Sequence, residues 1–341
     1  MAAMGTDSVN QHSSSEPFRP AWWLPGGHFE TVWPNLVRPR QALVLRRERI
    51  TLPDGDFLAL DWGPDPGGPI VLLLHGLAGG SGSAYAIRLM RALHAQGFWA
   101  GTMHFRGAAG EPNRKLRSYH MAEVEDPGFV FRHLRRKYGR RTLAAVGVSL
   151  GGSALLHSLA GMEEGSGPRA AVAISVPFRL PDAEQRLNRG LSKLYQWYIL
   201  GHLKRQWHRK CRVLARMDLC KGLNEIRTFR QFDSRITAPF HGFADVDDYY
   251  ARASSIHVLN DIRVPTLLIQ ARNDPFMTPE SLPEATGLSA QVTLESLARG
   301  GHAGFLEGSG RSYLERRVPQ FLRQHLAQDR DARLGPTEGD S

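Results

Sequence analysis

Cysteine is scarce in this chain: Cys211 and Cys220 are the only two in 341 residues. Two thiols cannot build a disulfide scaffold or a cysteine-ligated zinc site, and they read as ordinary thiols of a reducing compartment. Long apolar runs are missing too. The longest resemble Ile70-Val71-Leu72-Leu73-Leu74, far short of the ~20 residues that cross a bilayer. The Ser-rich start, Met1 to Pro17, has no apolar segment of the kind an export signal needs, so a cytoplasmic location is expected. Lysine is rare as well. Only six of the 43 basic residues are lysines, set against 33 acidic residues, so the net charge of +10 is mostly dispersed arginine. No long basic tract, RNP-like segment or Cys/His finger accompanies it, and nucleic-acid binding is not expected. No H-E-x-x-H or comparable cluster occurs, so no metal is expected either.

What remains is an ordinary globular balance, 42% hydrophobic and 22% charged, with enough length for a large core. Eight strand-like segments are visible. Ala42–Thr51 and Phe57–Trp62 flank the turn-forming Pro53-Asp54-Gly55-Asp56 and predict an antiparallel hairpin. Ile70–Leu74, Phe98–Met103, Thr142–Val148, Ala171–Ser175, Pro265–Gln270 and Gln291–Glu295 are unbroken apolar runs, as in strands covered on both faces. Helix-spaced stretches alternate with them at Ala84–Ala95, Met121–Tyr138, Leu150–Ala160 and Tyr313–Leu326. The pattern predicts an α/β fold with a mostly parallel eight-stranded sheet flanked by helices. Residues 178–254 contain no buried strand and are expected to form an inserted helical cap over the C-terminal edge of the sheet. The core then comprises 17–177 and 255–326, with tails at 1–16 and 327–341.

The sharpest local signal is Gly147-Val148-Ser149-Leu150-Gly151, a G-x-S-x-G between a buried strand and a helix. A nucleophilic serine on a tight strand-to-helix turn needs small neighbours two residues away on either side. Its hydroxyl also needs a base, and the base a carboxylate, in the chain order Ser, acid, His. Of fourteen histidines, His302 stands in the glycine-rich Gly300-Gly301-His302-Ala303-Gly304 after the last strand, at the catalytic edge. Asp274 follows its strand at the same edge, whereas Asp261 precedes it at the wrong one. The backbone N–H groups of Leu150, next to the serine, and Leu77, in His75-Gly76-Leu77-Ala78-Gly79-Gly80, are the expected oxyanion donors. The position of His75, ahead of these small residues, favours loop bracing.

Several blocks in order extend this reading: Trp22-Trp23-Leu24 with Gly27-His28 and Thr31; His75-Gly76-Leu77 with Ser83 and Tyr85; His104-Phe105-Arg106-Gly107; Gly110-Glu111-Pro112-Asn113-Arg114; Tyr119-His120; Phe232-Asp233 to Thr237-Ala238-Pro239; His241-Gly242-Phe243; Asp274-Pro275-Phe276-Met277. With the elbow and Gly301-His302, they make the chain similar to YheT-like α/β-hydrolases (AB hydrolase family 4, with ABHD-type esterases as relatives) over about residues 17 to 326. The resemblance implies a carboxylesterase acting on small-molecule or acyl-lipid esters without a cofactor, with Ser149, Asp274 and His302 as nucleophile, acid and base. His75, Tyr85, His241 and Phe276, all within those blocks, become candidates for substrate contacts. Ala108 and Ser153 depart from the family pattern and bear on substrate detail alone.

Acyl transfer or thioester hydrolysis would use the same residues, and a non-catalytic binding protein on a hydrolase fold is the reading from another class. Epoxide and haloalkane chemistry is disfavoured because those relatives carry Asp at the elbow. The cap segment 191–217 holds seven Lys and Arg residues before any acid, interleaved with Tyr195, Trp197, Tyr198 and Trp207. The simpler expectation is that these aromatics pack on the sheet while the charges face water. A peripheral membrane contact through the basic cap is the alternative. Trp22 and Trp23 are expected to anchor the N-terminal arm or to line an acyl entrance.

Overall fold

The structure, a computed structural model, describes residues 16–37 and 43–334, with side chains to residue 327. The expected strand start at Ala42 and most of the expected tails, 1–15 and 335–341, lie outside these residues. Eight strands form one sheet: β1 (Arg46–Thr51), β2 (Phe57–Trp62), β3 (Ile70–Leu74), β4 (Trp99–His104), β5 (Leu143–Val148), β6 (Ala171–Ile174), β7 (Thr266–Ala271) and β8 (Val292–Leu297). Their order is β1-β2-β4-β3-β5-β6-β7-β8. β2 pairs antiparallel with both β1 and β4, and every pairing beyond β4 is parallel.

Side chains of the central strands alternate between two cores. Ile70, Leu72 and Leu74 face one apolar cluster while Val71 and Leu73 face the other, the period-2 consequence of the pleat. The first cluster is closed by helices α3 (Glu125–Lys137) and α4 (Leu150–Ala160), the second by α2 (Ala84–Ala95) and α10 (Tyr313–Leu334). β3 lies between β4 and β5, so the chain leaves it to one side and returns on the other. The crevice at that reversal is where such sheets place ligands.

Two helices differ from expectation. α3 begins at Glu125 rather than Met121, because Glu123 Oε1 accepts the amides of Glu125 and Asp126 and starts the helix there. α10 runs to Leu334, eight residues into the stretch expected to be tail. An additional helix, α1 (Gly26–Leu36), precedes the sheet.

Between β6 and β7 the chain forms helices joined by turns, with no strand among the described residues: α5 (Leu180–Leu187), the 22-residue α6 (Ser192–Val213), the short α7 (Phe229–Phe232) and α8 (Ala238–Phe240) joined by a π-helical turn, and α9 (Val246–Ala253). This insertion has an apolar core of its own, centred on Leu200, Leu203, Trp207 and Phe232. Among the described residues no helix is long and apolar enough to cross a membrane.

Candidate active site

β5 ends at Val148 and the chain turns through Ser149, at φ 54° and ψ −118°, directly into α4. A left-handed φ on a non-glycine residue is strained and persists only where its surroundings enforce it. Here the Ser149 amide donates to Ile174 O at 2.8 Å, and its carbonyl accepts from Ser153 N at 3.0 Å. The flanking glycines are a steric requirement. A Cβ on residue 147 would lie 2.4 Å from Gly151 O, and one on residue 151 would lie 2.1 Å from Leu74 O. Ser149 is therefore lifted off the sheet edge toward the crevice. Four of the six non-glycine residues with positive φ among those described, Ala78, Ser149, Ser175 and Ala303, belong to this edge.

His302 and Asp274 come from the loops after β8 and β7. His302 Nδ1 lies 2.8 Å from Asp274 Oδ2, and Asp274 Oδ1 accepts the Phe276 amide at 2.8 Å. A carboxylate can only accept, so in the neutral form of the ring this contact places the proton on Nδ1 and the lone pair on Nε2. The Phe276 ring stacks on the imidazole with centroids 3.9 Å apart and planes within 4°. The His302 amide donates to Thr31 Oγ1 at 2.8 Å, and the Ala303 amide to Ser175 Oγ at 2.9 Å. The imidazole is thus fixed in tautomer, plane and backbone.

One buried acid ties the two loops together. Glu30, on the inner face of α1, accepts from Arg299 Nε at 2.6 Å, Gly300 N at 2.9 Å and Asn273 Nδ2 at 2.7 Å. Asn273 in turn accepts the Gly301 amide at 3.1 Å. α1 therefore holds the His302 loop against the Asp274 loop.

The loop after β3 is set by two buried phenols. Tyr85 Oη accepts the Gly76 amide at 2.8 Å and Tyr119 Oη accepts that of Ala78 at 3.4 Å, so Leu77 lies between two tethered neighbours. Burial pushes the Tyr119 phenol up to about 12, and it stays protonated. Further along, Asp61 Oδ2 accepts from Ser81 Oγ at 2.6 Å and from His104 Nε2 at 2.8 Å, while Arg47 grips the same carboxylate. This second Ser-His-Asp grouping is a structural clamp: His104 Nε2 lies 3.2 Å from Ser81 Oγ, but that same nitrogen is engaged by Asp61, and the hydroxyl donates to the acid.

Ser149, Leu77, Leu150, Phe276 and His302 all line one cavity of about 970 Å³, mostly apolar, roofed by α6 and the α7–α8 region. Its insertion side holds polar groups of a different kind. Lys210 Nζ donates to Leu116 O at 3.1 Å and Arg117 O at 2.8 Å, and burial pulls its ammonium down to about 7. The Asp233 carboxyl sits between the Thr237 and Tyr250 hydroxyls, at 2.6 and 3.1 Å, and burial pushes it up to about 6. Among the described residues no group of His, Cys, Asp and Glu could hold a metal ion.

Against known proteins, a family profile described as the alpha/beta hydrolase fold matches residues 69–309. An Escherichia coli (strain K12) protein named "Putative esterase YheT" is 38% identical over 336 residues, covering 96% of this chain and 98% of its own. The chain belongs to the α/β-hydrolases, in their YheT-like branch. The human protein named Phospholipase ABHD3 is 27% identical, over 90% of this chain and 79% of its own. Among solved structures, the Pyrococcus furiosus esterase Pf2001 superimposes with a TM-score of 0.58 at 18% identity, over 85% of this chain and 97% of its own. At that identity the likeness speaks for the fold alone.

In this α/β-hydrolase the positions singled out from sequence divide into two groups. Ser149, His302, Leu77, Leu150 and Phe276 share the cavity, with Asp274 buried behind His302. His241 lines it as well, but both ring nitrogens are engaged: Nδ1 with Thr237 O at 2.6 Å, and Nε2 accepting the Ser118 amide at 3.0 Å. Tyr85 lines the cavity with its hydroxyl committed to Gly76. His75 is corrected as a substrate contact. It is not among the cavity-lining residues; Nδ1 bonds Gly76 O at 2.8 Å and Nε2 accepts the Phe105 amide at 3.3 Å, so it braces the loop.

The expectation that the cap aromatics pack inward is corrected as well. Trp207 is buried and Tyr195 partly so, but Trp197 and Tyr198 are 75% and 60% exposed, while the cation Lys210 points inward. Trp23 packs edge-on against Trp33 and Trp22 is exposed; neither lines the cavity. Glu30, Asn273 and Ser175 escaped the sequence reading. The detectable signal for Glu30 was a single acid in the otherwise uncharged segment 20–37.

Proposed function

We propose that this YheT-like α/β-hydrolase is a serine hydrolase of carboxylic esters, with Ser149 as nucleophile, His302 as base and Asp274 as its orienting acid. The observation that carries the reading is the 2.8 Å contact of Asp274 with His302 Nδ1, which leaves Nε2 free in the cavity that the strained Ser149 enters. His302 Nε2 takes the Ser149 hydroxyl proton as Oγ attacks the ester carbonyl. The resulting oxyanion is held by the amides of Leu77 and Leu150. As the C–O bond to the alcohol breaks, His302 returns the proton to the leaving oxygen. A water then gives its proton to His302 and attacks the acyl-enzyme, releasing the acid and restoring the serine.

The cavity is large and chiefly apolar, which suits acyl-lipid or other medium- to long-chain esters over small polar ones. The names of the relatives, an esterase and a phospholipase, agree with that class. Residues 178–254 act in this reading as a cap whose lining selects the acyl or alcohol half. A fluorophosphonate probe tests the assignment. The expected result is covalent labelling of the folded protein that disappears in Ser149→Ala, with graded turnover of p-nitrophenyl esters. Absence of labelling in wild-type protein that melts cooperatively would favour a binding protein on a hydrolase fold.

A further inference from the structure

Large apolar side chains are exposed in an uneven way. Phe29, Trp33 and Leu36 stand one and two turns apart on the outer face of α1, opposite its buried Glu30, Thr31 and Pro34. Leu194, Trp197 and Tyr198 form the outer face of the first turns of α6, opposite the buried Ser192, Gln196 and Leu200. The two helices are neighbours, since His28 on α1 stacks on Tyr195 of α6 with centroids 5.7 Å apart. Both reach the cavity. Val32 and Leu36 of α1 and Tyr198 of α6 are exposed and also line it, so the mouth opens between these apolar faces.

The charge on the same face has one sign. Following the helical spacing of 194, 198, 201, 205, 209 and 212, the outer stripe of α6 passes from Leu194 and Tyr198 to the exposed Arg205, Arg209 and Arg212. Lys193 is exposed beside its start, α6 contains no acidic residue, and the single acid of α1 is buried. Exposed aromatic and aliphatic side chains next to cations, with no carboxylate among them, match an interface where acyl chains lie beneath anionic headgroups.

We infer that the α1–α6 face is a docking surface for an anionic lipid bilayer, which seats the cavity mouth against the lipid. The apolar residues of α1 and of the start of α6 enter the acyl boundary, and the arginine row of α6 meets the headgroups. A hydrolase fed this way draws its ester directly from the bilayer plane. That last step rests on the proposed function, but docking does not, so it is measured without any turnover.

The test is co-sedimentation of the full chain with vesicles of phosphatidylcholine alone, or with about three-tenths phosphatidylglycerol, at about 0.05 M salt. Wild type is expected to pellet with the anionic vesicles and to be weakened about tenfold or more at about 0.5 M salt. Leu194→Glu with Trp197→Glu, neither of which lines the cavity, should weaken vesicle binding about tenfold or more while the unfolding midpoint stays put. Arg205→Glu with Arg209→Glu should abolish the preference for phosphatidylglycerol, and serves as the readout should the first variant fail to fold. Wild type remaining in the supernatant overturns the inference. So does unchanged binding of both variants, or a chain that is a stable dimer with this face buried between copies.

Discussion

The sheet edge and the helical insertion supply the two sides of one cavity, and they treat buried charge in opposite ways. At the edge the two carboxylates that hold the Asp274 and His302 loops are met by charged and amide donors. Asp274 holds an imidazole and an amide, and Glu30 holds a guanidinium, an amide and a side-chain amide. In the insertion Lys210 and Asp233 form hydrogen bonds to neutral groups alone, Lys210 to two carbonyls and Asp233 to two hydroxyls. Burial then dominates, drawing Lys210 down to about 7 and raising Asp233 to about 6, with His241 lowered to about 4. The edge is preorganised for one chemistry. The insertion keeps polar groups whose charge a ligand or a change of pH can alter.

That division predicts where mutations act. Ser149→Ala should lower kcat by about 10⁴ to 10⁶, leaving what the oxyanion donors supply, as single-turnover and steady-state assays would show. Lys210→Met, on the other side, should change KM and chain-length preference by about tenfold with kcat within a few-fold. A Lys210 variant as inactive as Ser149→Ala would erase the distinction between the two sides.

Next in size is Asp274→Asn. The amide can accept through only one atom, so His302 loses its enforced tautomer, and kcat should fall by about 10³ to 10⁴. The loss should come without change in the unfolding midpoint beyond a few degrees, which a thermal melt measures.

Glu30→Gln sharpens the comparison at a distance from the chemistry. One oxygen cannot serve the Arg299 guanidinium, the Gly300 amide and Asn273 together, so a buried donor is left unpaired. The expected cost is about 2–4 kcal/mol in urea unfolding, with kcat reduced about tenfold and KM little altered. An unperturbed variant would mean that α1 merely covers the loops without aligning them.

The contrast also explains what the sequence could disclose. All eight strands and the elbow were legible because they are local. Unbroken apolar runs mark strands buried on both faces, and Gly147 and Gly151 are dictated by contacts within one turn and its neighbouring strand. That Asp274 and His302 meet at one edge was legible from their place after strands. Glu30 was not, since its role depends on partners 243 to 270 residues away in sequence. The outward turn of Trp197 and Tyr198 was hidden for another reason. An interleaved basic and aromatic helix fits two opposite rotations, and only packing of Gln196, Leu200 and Trp207 against the insertion core chooses between them.

The smallest effect concerns Asp233, and its sign can be worked out. Its folded-state value of about 6 lies above the ordinary 3.8, so the native state binds this proton more tightly than the unfolded chain does. Its contribution is most favourable below about pH 4 and is lost as pH rises through 6, where the enclosed carboxyl ionises beside Glu184. Asn resembles the protonated acid: its oxygen can accept from Thr237 and its amide can donate to the Tyr250 oxygen. Asp233→Asn should therefore leave stability nearly unchanged at about pH 4 and raise it by about 3 kcal/mol at about pH 8. Denaturant unfolding of both proteins across that range measures the gap. Parallel curves would mean that the insertion accommodates an ionised Asp233 without cost, and the difference between the two sides would then lie in shape alone.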